Sequence, residues 1–140
     1  MGFIVKAHGR WNRAGEYGCL YTSLTLQGAR AEFQRYVARA AAGTGLAPRE
    51  LVSLDVDITP VVDLTDPASS PVSIRSPFLT GDEPDDLESC RTLADYIRAL
   101  GNSAIIAPSA ALQGEKNLVI YIDGPARNLG LSVGGARVPL

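Results

Sequence analysis

Three residues whose side chains suit chemistry on a phosphorylated, ring-bearing substrate follow one another at even spacing: Arg10, Tyr21 and Glu32. An arginine can fork onto a phosphate group, and a tyrosine ring can cover a planar ring. A glutamate can stabilise a developing cation or activate a nucleophile. A loop, a strand and a helix that follow one another can bring all three to one cleft.

The elements that carry these residues can be predicted from the local pattern. Glycines interleave with Arg10 and Arg13 in a flexible cationic turn, and an apolar strand, Cys19–Thr22, follows it. Ser23 is suited to cap a helix, because its hydroxyl can accept from the free amides of the first turn. The helix is predicted to run to about Ala42. Apolar residues at three- and four-residue steps predict its buried stripe: Ala29, Phe33, Tyr36, Val37 and Ala40.

Glu32 borders this stripe, where core meets solvent, and two roles are open to it. Arg35 stands three residues further on and could pair with Glu32 on an exposed helix face. The helix pattern alone favours this surface pair. The alternative is a carboxylate at the edge of a cleft.

The remainder of the chain predicts short strands and one more helix. Strict alternation from Leu51 to Ile58 predicts a half-buried strand with Val52, Leu54, Val56 and Ile58 inward. Further extended segments are predicted at 61–64, 105–107 and 117–122, a surface loop at 67–84 and a helix from Asp85 or Asp86 to before Gly101. The tail, residues 123–140, either frays or folds back as an edge strand. Asp63 and Asp66 are predicted to be turn and capping residues, with no metal site.

Composition narrows the classes of function. A chain of 140 residues suits a single domain, 1–140. The formal net charge of −2 argues against direct nucleic-acid binding. Cys19 and Cys90 lack metal spacing and are expected to be buried free thiols. The absence of a signal peptide and of a long apolar run predicts no membrane contact and a cytoplasmic location. A dinucleotide fingerprint and a P-loop are also absent.

Six short segments resemble, in order, the motifs of the RES domain family, which takes its name from an Arg, a Glu and a Ser. They cover most of the chain between Gly9 and about Ile122. The segments are Gly9–Asn12, Leu20–Ser23, Ala29–Glu32, Asp63–Asp66, Ala107–Ala110 and Asn117–Val119.

The resemblance implies an α+β fold similar to ADP-ribosyltransferases, with a split, mostly antiparallel sheet and a few flanking helices. The domain core would span about residues 9–122. The residue patterns agree with this, since they give about six short strands and two helices without regular βα alternation.

The resemblance also implies a bacterial toxin that cleaves the nicotinamide–ribose bond of NAD, with NAD as substrate and no cofactor. ADP-ribose would pass to water, to phosphate or to a protein. The implied catalytic residues are Glu32, Tyr21 and Ser109, and the implied NAD-binding residues are Arg10, Trp11, Asn12 and Asn117. Ser109 would either bond the substrate or hold Glu32, and Arg35 and Arg39 would be solvated outside the site. The implied partner is an Xre-type helix-turn-helix antitoxin whose C-terminal end blocks the cleft.

One departure from the family pattern keeps a second function open. RES domains usually carry a further strand and another arginine ahead of the first motif, whereas only eight residues precede Gly9 here. An apparently short N-terminus leaves the alternative of a catalytically inactive RES-like module that binds an antitoxin.

Overall fold

A computed structural model of the chain describes residues 9–39, 50–122 and 130–139. The apolar run Phe3–Val5, for which the sequence pattern predicts a short strand, lies outside these ranges, and so do the predicted helix residues beyond Arg39. None of the described helices is long and apolar enough to cross a membrane.

The larger of two sheets has four strands: β1 (Cys19–Ser23), β3 (Val61–Asp63), β4 (Ala104–Pro108) and β5 (Lys116–Tyr121). They lie in the order β1-β5-β4-β3, and only the β3–β4 pair is parallel. β4 and β5 are rich in β-branched residues and are buried in the middle of the sheet, which suits central strands.

The second sheet pairs β2 (Glu50–Asp57) with β6 (Gly130–Pro139) in antiparallel fashion. Of the two alternatives for the tail, the structure therefore shows the folded-back strand. β2 was correctly predicted, but its inward face was not, because the side chains of Val52 and Val56 are exposed. Ile58, just after the strand, is the buried member of that series.

The second helix, α2 (Pro84–Ala99), begins with a capping box in which Glu83 and Asp86 exchange side chain-to-backbone hydrogen bonds. It packs against the larger sheet through Cys90, Leu93, Ala94 and Ile97. This helix agrees with the prediction to within two residues at its start.

The first helix, α1 (Leu26–Arg39), differs from the prediction in its cap and in its buried face. Thr25 caps it by accepting the amide of Gly28 at 3.0 Å, whereas Ser23 is the last residue of β1. The predicted stripe is wrong at Tyr36 and Val37, which are exposed. Gly28, in the first turn, is buried and lies next to Ser23 and Glu115.

The two faces of the larger sheet carry separate core clusters. One contains Ile58, Ala104, Leu118 and Ile120, and the other contains Trp11, Tyr17, Cys19, Ile105, Val119 and Tyr121 together with the buried face of α2. The architecture is thus α+β with a split, mostly antiparallel sheet, as predicted.

Candidate active site

The carboxylate of Glu32 is held at one oxygen by two side chains, one from β5 and one from the residue that follows β4. The Ser109 hydroxyl donates to Oε1 at 3.0 Å, and the Asn117 side-chain amide donates to the same oxygen at 2.9 Å. Within residues 9–39, 50–122 and 130–139, Oε2 accepts no hydrogen bond. Glu32 therefore presents one fixed and one available oxygen, and the predicted surface pair with Arg35 is not formed.

Sheet register explains why Asn117 reaches Glu32. Asn117 pairs with Ser23 of β1 on one side and with Ala107 of β4 on the other. The Ser23 hydroxyl donates to the side-chain oxygen of Asn117 at 3.2 Å, which turns the amide nitrogen towards Glu32. This role of Ser23 was missed because its sequence context resembles a helix cap.

Ser109 uses its whole hydrogen-bonding capacity. Its Oγ accepts the amides of Ala111 at 3.1 Å and Leu112 at 3.2 Å, so its single proton is free to point at Glu32. The side chain is buried. Of the two roles predicted for Ser109, this geometry favours holding Glu32.

Tyr21 is anchored through its hydroxyl and is partly exposed as a residue. The hydroxyl accepts the Trp11 amide at 3.0 Å and donates to Oδ1 of Asn12 at 2.5 Å. Burial raises the pKa of Tyr21, while 41% of the residue as a whole is exposed. Tyr21 and Ser23 share one sheet face and lie about 7 Å apart along β1.

The predicted NAD-binding residues Trp11 and Asn12 lie beneath Tyr21. Trp11 is 3% exposed and belongs to the core, and Asn12 is 1% exposed and accepts the Tyr21 hydroxyl. Both residues therefore support Tyr21, and their contact with NAD stays a prediction.

Arg10 and Arg35 converge on a carboxylate that sequence patterns did not single out. The Arg10 guanidinium donates to the carbonyl of Gly81 at 2.5 Å and to Oδ1 of Asp82 at 2.9 Å. Arg35 donates to the carbonyl of Ala110 at 2.6 Å and forms an ion pair with the same Asp82 oxygen. The expectation that Arg35 is solvated was therefore wrong, and its neighbour Ala110 places it beside Ser109.

The cationic turn that carries Arg10 is docked on α2 by a second arginine. Arg13 forms ion pairs with Asp95 and Glu88, each at 2.8 Å. Arg91 of α2 donates to the carbonyl of Gly9 at 2.9 Å. These contacts fix the backbone of the turn between α2 and β1. The Arg10 side chain therefore extends from a backbone of defined position.

The acidic pair Asp63 and Asp66 forms turns, as predicted. Asp63 accepts the amide of Thr65 at 2.8 Å, and Asp66 accepts the amide of Ala68 at 3.0 Å. Across the described part of the chain, no three His, Cys, Asp or Glu side chains are grouped to hold a metal ion. Cys19 and Cys90 are buried free thiols.

The sequence-predicted residues thus fall into three groups. Ser109 and Asn117 contact Glu32 directly, while Tyr21 lies on the same sheet face with Trp11 and Asn12 beneath it. Arg10 shares Asp82 with Arg35, which lies one helical turn from Glu32.

Comparison with known proteins identifies the fold and the family. One solved structure, described as the crystal structure of the M. tuberculosis MbcT-MbcA toxin-antitoxin complex, matches with a TM-score of 0.72 and 24% sequence identity. The match covers 99% of this chain and 74% of that one, and at this identity it shows a shared fold. No curated protein matches the chain. The model of the RES domain matches residues 3–132, and the chain therefore belongs to the RES domain family.

Proposed function

We propose that the chain is a toxin that cleaves the nicotinamide–ribose bond of NAD, with Glu32 as the catalytic carboxylate. The observation that carries this proposal is that only one carboxylate oxygen of Glu32 accepts hydrogen bonds within the described residues. Ser109 and Asn117 fix Oε1 at 3.0 and 2.9 Å, which orients Oε2 without neutralising it. An oriented negative charge is what an oxocarbenium-like transition state requires.

The proposed chemistry requires few catalytic groups. The nicotinamide leaves as a neutral ring from a substrate in which it is already cationic, so no general acid is required. Glu32 stabilises the positive charge that develops on the ribose. It can also orient the acceptor, which is water, phosphate or a protein side chain.

Tyr21 and Arg10 supply the other contacts in this proposal. The Tyr21 hydroxyl is fixed by Trp11 and Asn12, so the part-exposed ring serves as a wall for a planar group without first having to be ordered. Arg10 would grip the pyrophosphate, and its fork geometry suits a bidentate contact.

The family and the structural neighbour support the proposal that an antitoxin binds this chain. The neighbour is a toxin in complex with its antitoxin, and an unrestrained NAD consumer would harm its own cell. We therefore propose an antitoxin, of the Xre type, that binds this chain in the cytoplasm. Co-expression of the antitoxin should restore growth that the chain alone arrests. This part of the proposal would be contradicted if no small protein encoded next to this gene binds the chain or restores growth.

Release of nicotinamide from NAD by the purified chain is the direct test of the activity. The reaction is run in a buffer without phosphate, with inorganic phosphate, and with a cell extract as a source of protein acceptors. Free ADP-ribose, a phosphorylated ADP-ribose or modified protein identifies the acceptor. No nicotinamide under any of the three conditions would contradict the proposal and favour an inactive, antitoxin-binding module.

A further inference from the structure

The paired arginines beside the site form an anion-binding position that the chain itself fills. Arg10 and Arg35 come from different elements, and both donate to one oxygen, Oδ1 of Asp82. The side chains of the two arginines are 13% and 21% exposed, whereas that of Asp82 is 46% exposed. The cations are thus enclosed and the anion is at the surface.

Two guanidinium groups share a single carboxylate oxygen in this cluster, Oδ1 of Asp82. The pyrophosphate of a dinucleotide carries two negative charges and offers several acceptor oxygens to the two forks. It would therefore satisfy the arginines more fully than Asp82 does.

The surroundings allow the carboxylate to leave without moving the backbone. Next to it, Gly81 is packed so closely that an added Cβ would lie 2.2 Å from Oδ2 of Asp86, and Glu83 begins the capping box of α2. Displacement requires the Asp82 side chain, which is 46% exposed, to rotate away from both arginines into solvent. A pyrophosphate can form more charge-assisted hydrogen bonds with the two guanidinium groups than one shared carboxylate oxygen does.

The position of the cluster connects it to Glu32. Arg35 follows Glu32 by three residues on α1, and it donates to Ala110, which follows Ser109. We propose that Asp82 is an internal surrogate for the substrate pyrophosphate, and that Arg35 joins Arg10 in binding the pyrophosphate once Asp82 is displaced. This inference rests on the proposed function for the identity of the substrate.

Titration calorimetry with ADP-ribose tests the inference without any need for cleavage. Asp82→Asn removes the competing charge, and we expect it to bind ADP-ribose about five-fold tighter than wild type. Arg35→Lys keeps the charge but loses the fork, and we expect about ten-fold weaker binding. Inorganic pyrophosphate should give the same order of affinities.

Glu115→Gln is the matched control. It neutralises another carboxylate near the start of α1, one that accepts from Thr25 at 2.6 Å and contacts neither Arg10 nor Arg35 in the described part of the chain. Its affinity for ADP-ribose should equal that of wild type.

Several results would overturn the inference. Equal or weaker binding by Asp82→Asn would show that Asp82 clamps the arginines in place, and wild-type affinity in Arg35→Lys would exclude Arg35. Absence of ADP-ribose binding in wild type and in all the variants would also contradict it. So would a difference in affinity between variants that is seen with ADP-ribose and not with pyrophosphate. NAD cleavage by wild type is measured separately, so the failure of the proposed function is recognised independently.

Discussion

At the residue scale, the site depends on which partner each polar side chain finds. Helix periodicity placed Arg35 within reach of Glu32 and favoured a surface pair, but Glu32 turns to Ser109 and Asn117, while Arg35 pairs with Asp82. Those partners lie 77, 85 and 47 residues away in sequence. Local spacing cannot report such distant contacts, whereas the ordered family motifs did single out Ser109 and Asn117.

Ser109→Ala tests whether Ser109 acts through Glu32. The substitution removes one of two donors to Oε1, so we expect turnover of NAD to fall about ten-fold with little change in KM. The amides of Ala111 and Leu112 lose their acceptor, so stability should fall by about 1–2 kcal/mol.

A double variant supplies the control for this prediction. When Glu32 is already Gln, Ser109→Ala should no longer reduce turnover, because the carboxylate that it positions is gone. Independent, multiplied effects of the two substitutions would show that Ser109 acts on the substrate itself.

At the element scale, strands and helices were predictable where one face is clearly apolar. For α1, the helix was predictable, but its cap and its buried face were not. Its apolar residues Tyr36 and Val37 are exposed, whereas its polar residues are bonded inward: Glu32 contacts Asn117 of β5, and Arg35 contacts Ala110 just after β4. A helix that delivers polar groups to a site reverses the usual relation between hydrophobic pattern and burial. The same requirement explains why Ser23, predicted as a cap, serves as a strand residue bonded to Asn117.

The packing of the Gly9 turn against β1 gives a prediction at this scale. A Cβ at Gly9 would lie 2.1 Å from the Tyr21 hydroxyl oxygen and 2.4 Å from Oδ1 of Asn12. Gly9→Ala should therefore cost about 1–3 kcal/mol of unfolding free energy, measured by urea denaturation.

Tyr21→Phe removes the atom that the new methyl group meets first. The penalty of Gly9→Ala should be smaller in that background, and the two substitutions should couple. Additive losses would show that the turn is not packed against the Tyr21 hydroxyl. Tyr96→Phe, at an exposed tyrosine of α2, serves as the control and should show no coupling.

At the scale of the whole molecule, the fold class was predictable and the strand pairing was not. Strands β1 to β5 and both helices follow from alternation, turns and caps, but nothing local shows that β5 lies between β1 and β4, or that β2 pairs with β6. Such pairings are fixed by register and by burial of both sheet faces. The prediction that residues 1–140 form one domain with a core at about 9–122 stays a prediction.

Three tyrosines make the stability of the whole fold sensitive to alkali. Burial raises the pKa of Tyr17, Tyr21 and Tyr121. A raised pKa in the folded state means that the stabilisation is complete below the ordinary value of about 10 and is lost as pH rises beyond it. We expect the unfolding free energy to fall above about pH 10.

Absorbance at 295 nm and near-UV circular dichroism, recorded together, check this expectation. In a variant carrying Tyr36→Phe and Tyr96→Phe, which removes two tyrosines with exposed rings, tyrosinate should appear only as the near-UV signal is lost. Tyrosinate formation in a protein that keeps its full near-UV signal would contradict the expectation that ionisation of the buried tyrosines requires unfolding.

The chemical step in Glu32→Gln tests the central claim most directly. Glutamine keeps an oxygen that can accept from Ser109 and Asn117, so the melting temperature should barely change. The negative charge is lost, and single-turnover cleavage of NAD should slow by about 100-fold or more, with the affinity for ADP-ribose little changed. Glu115→Gln is the matched control, since that carboxylate accepts from Thr25 at 2.6 Å at the start of the same helix. Wild-type cleavage in Glu32→Gln, or an equal loss in both variants, would contradict the assignment of Glu32 as the catalytic carboxylate.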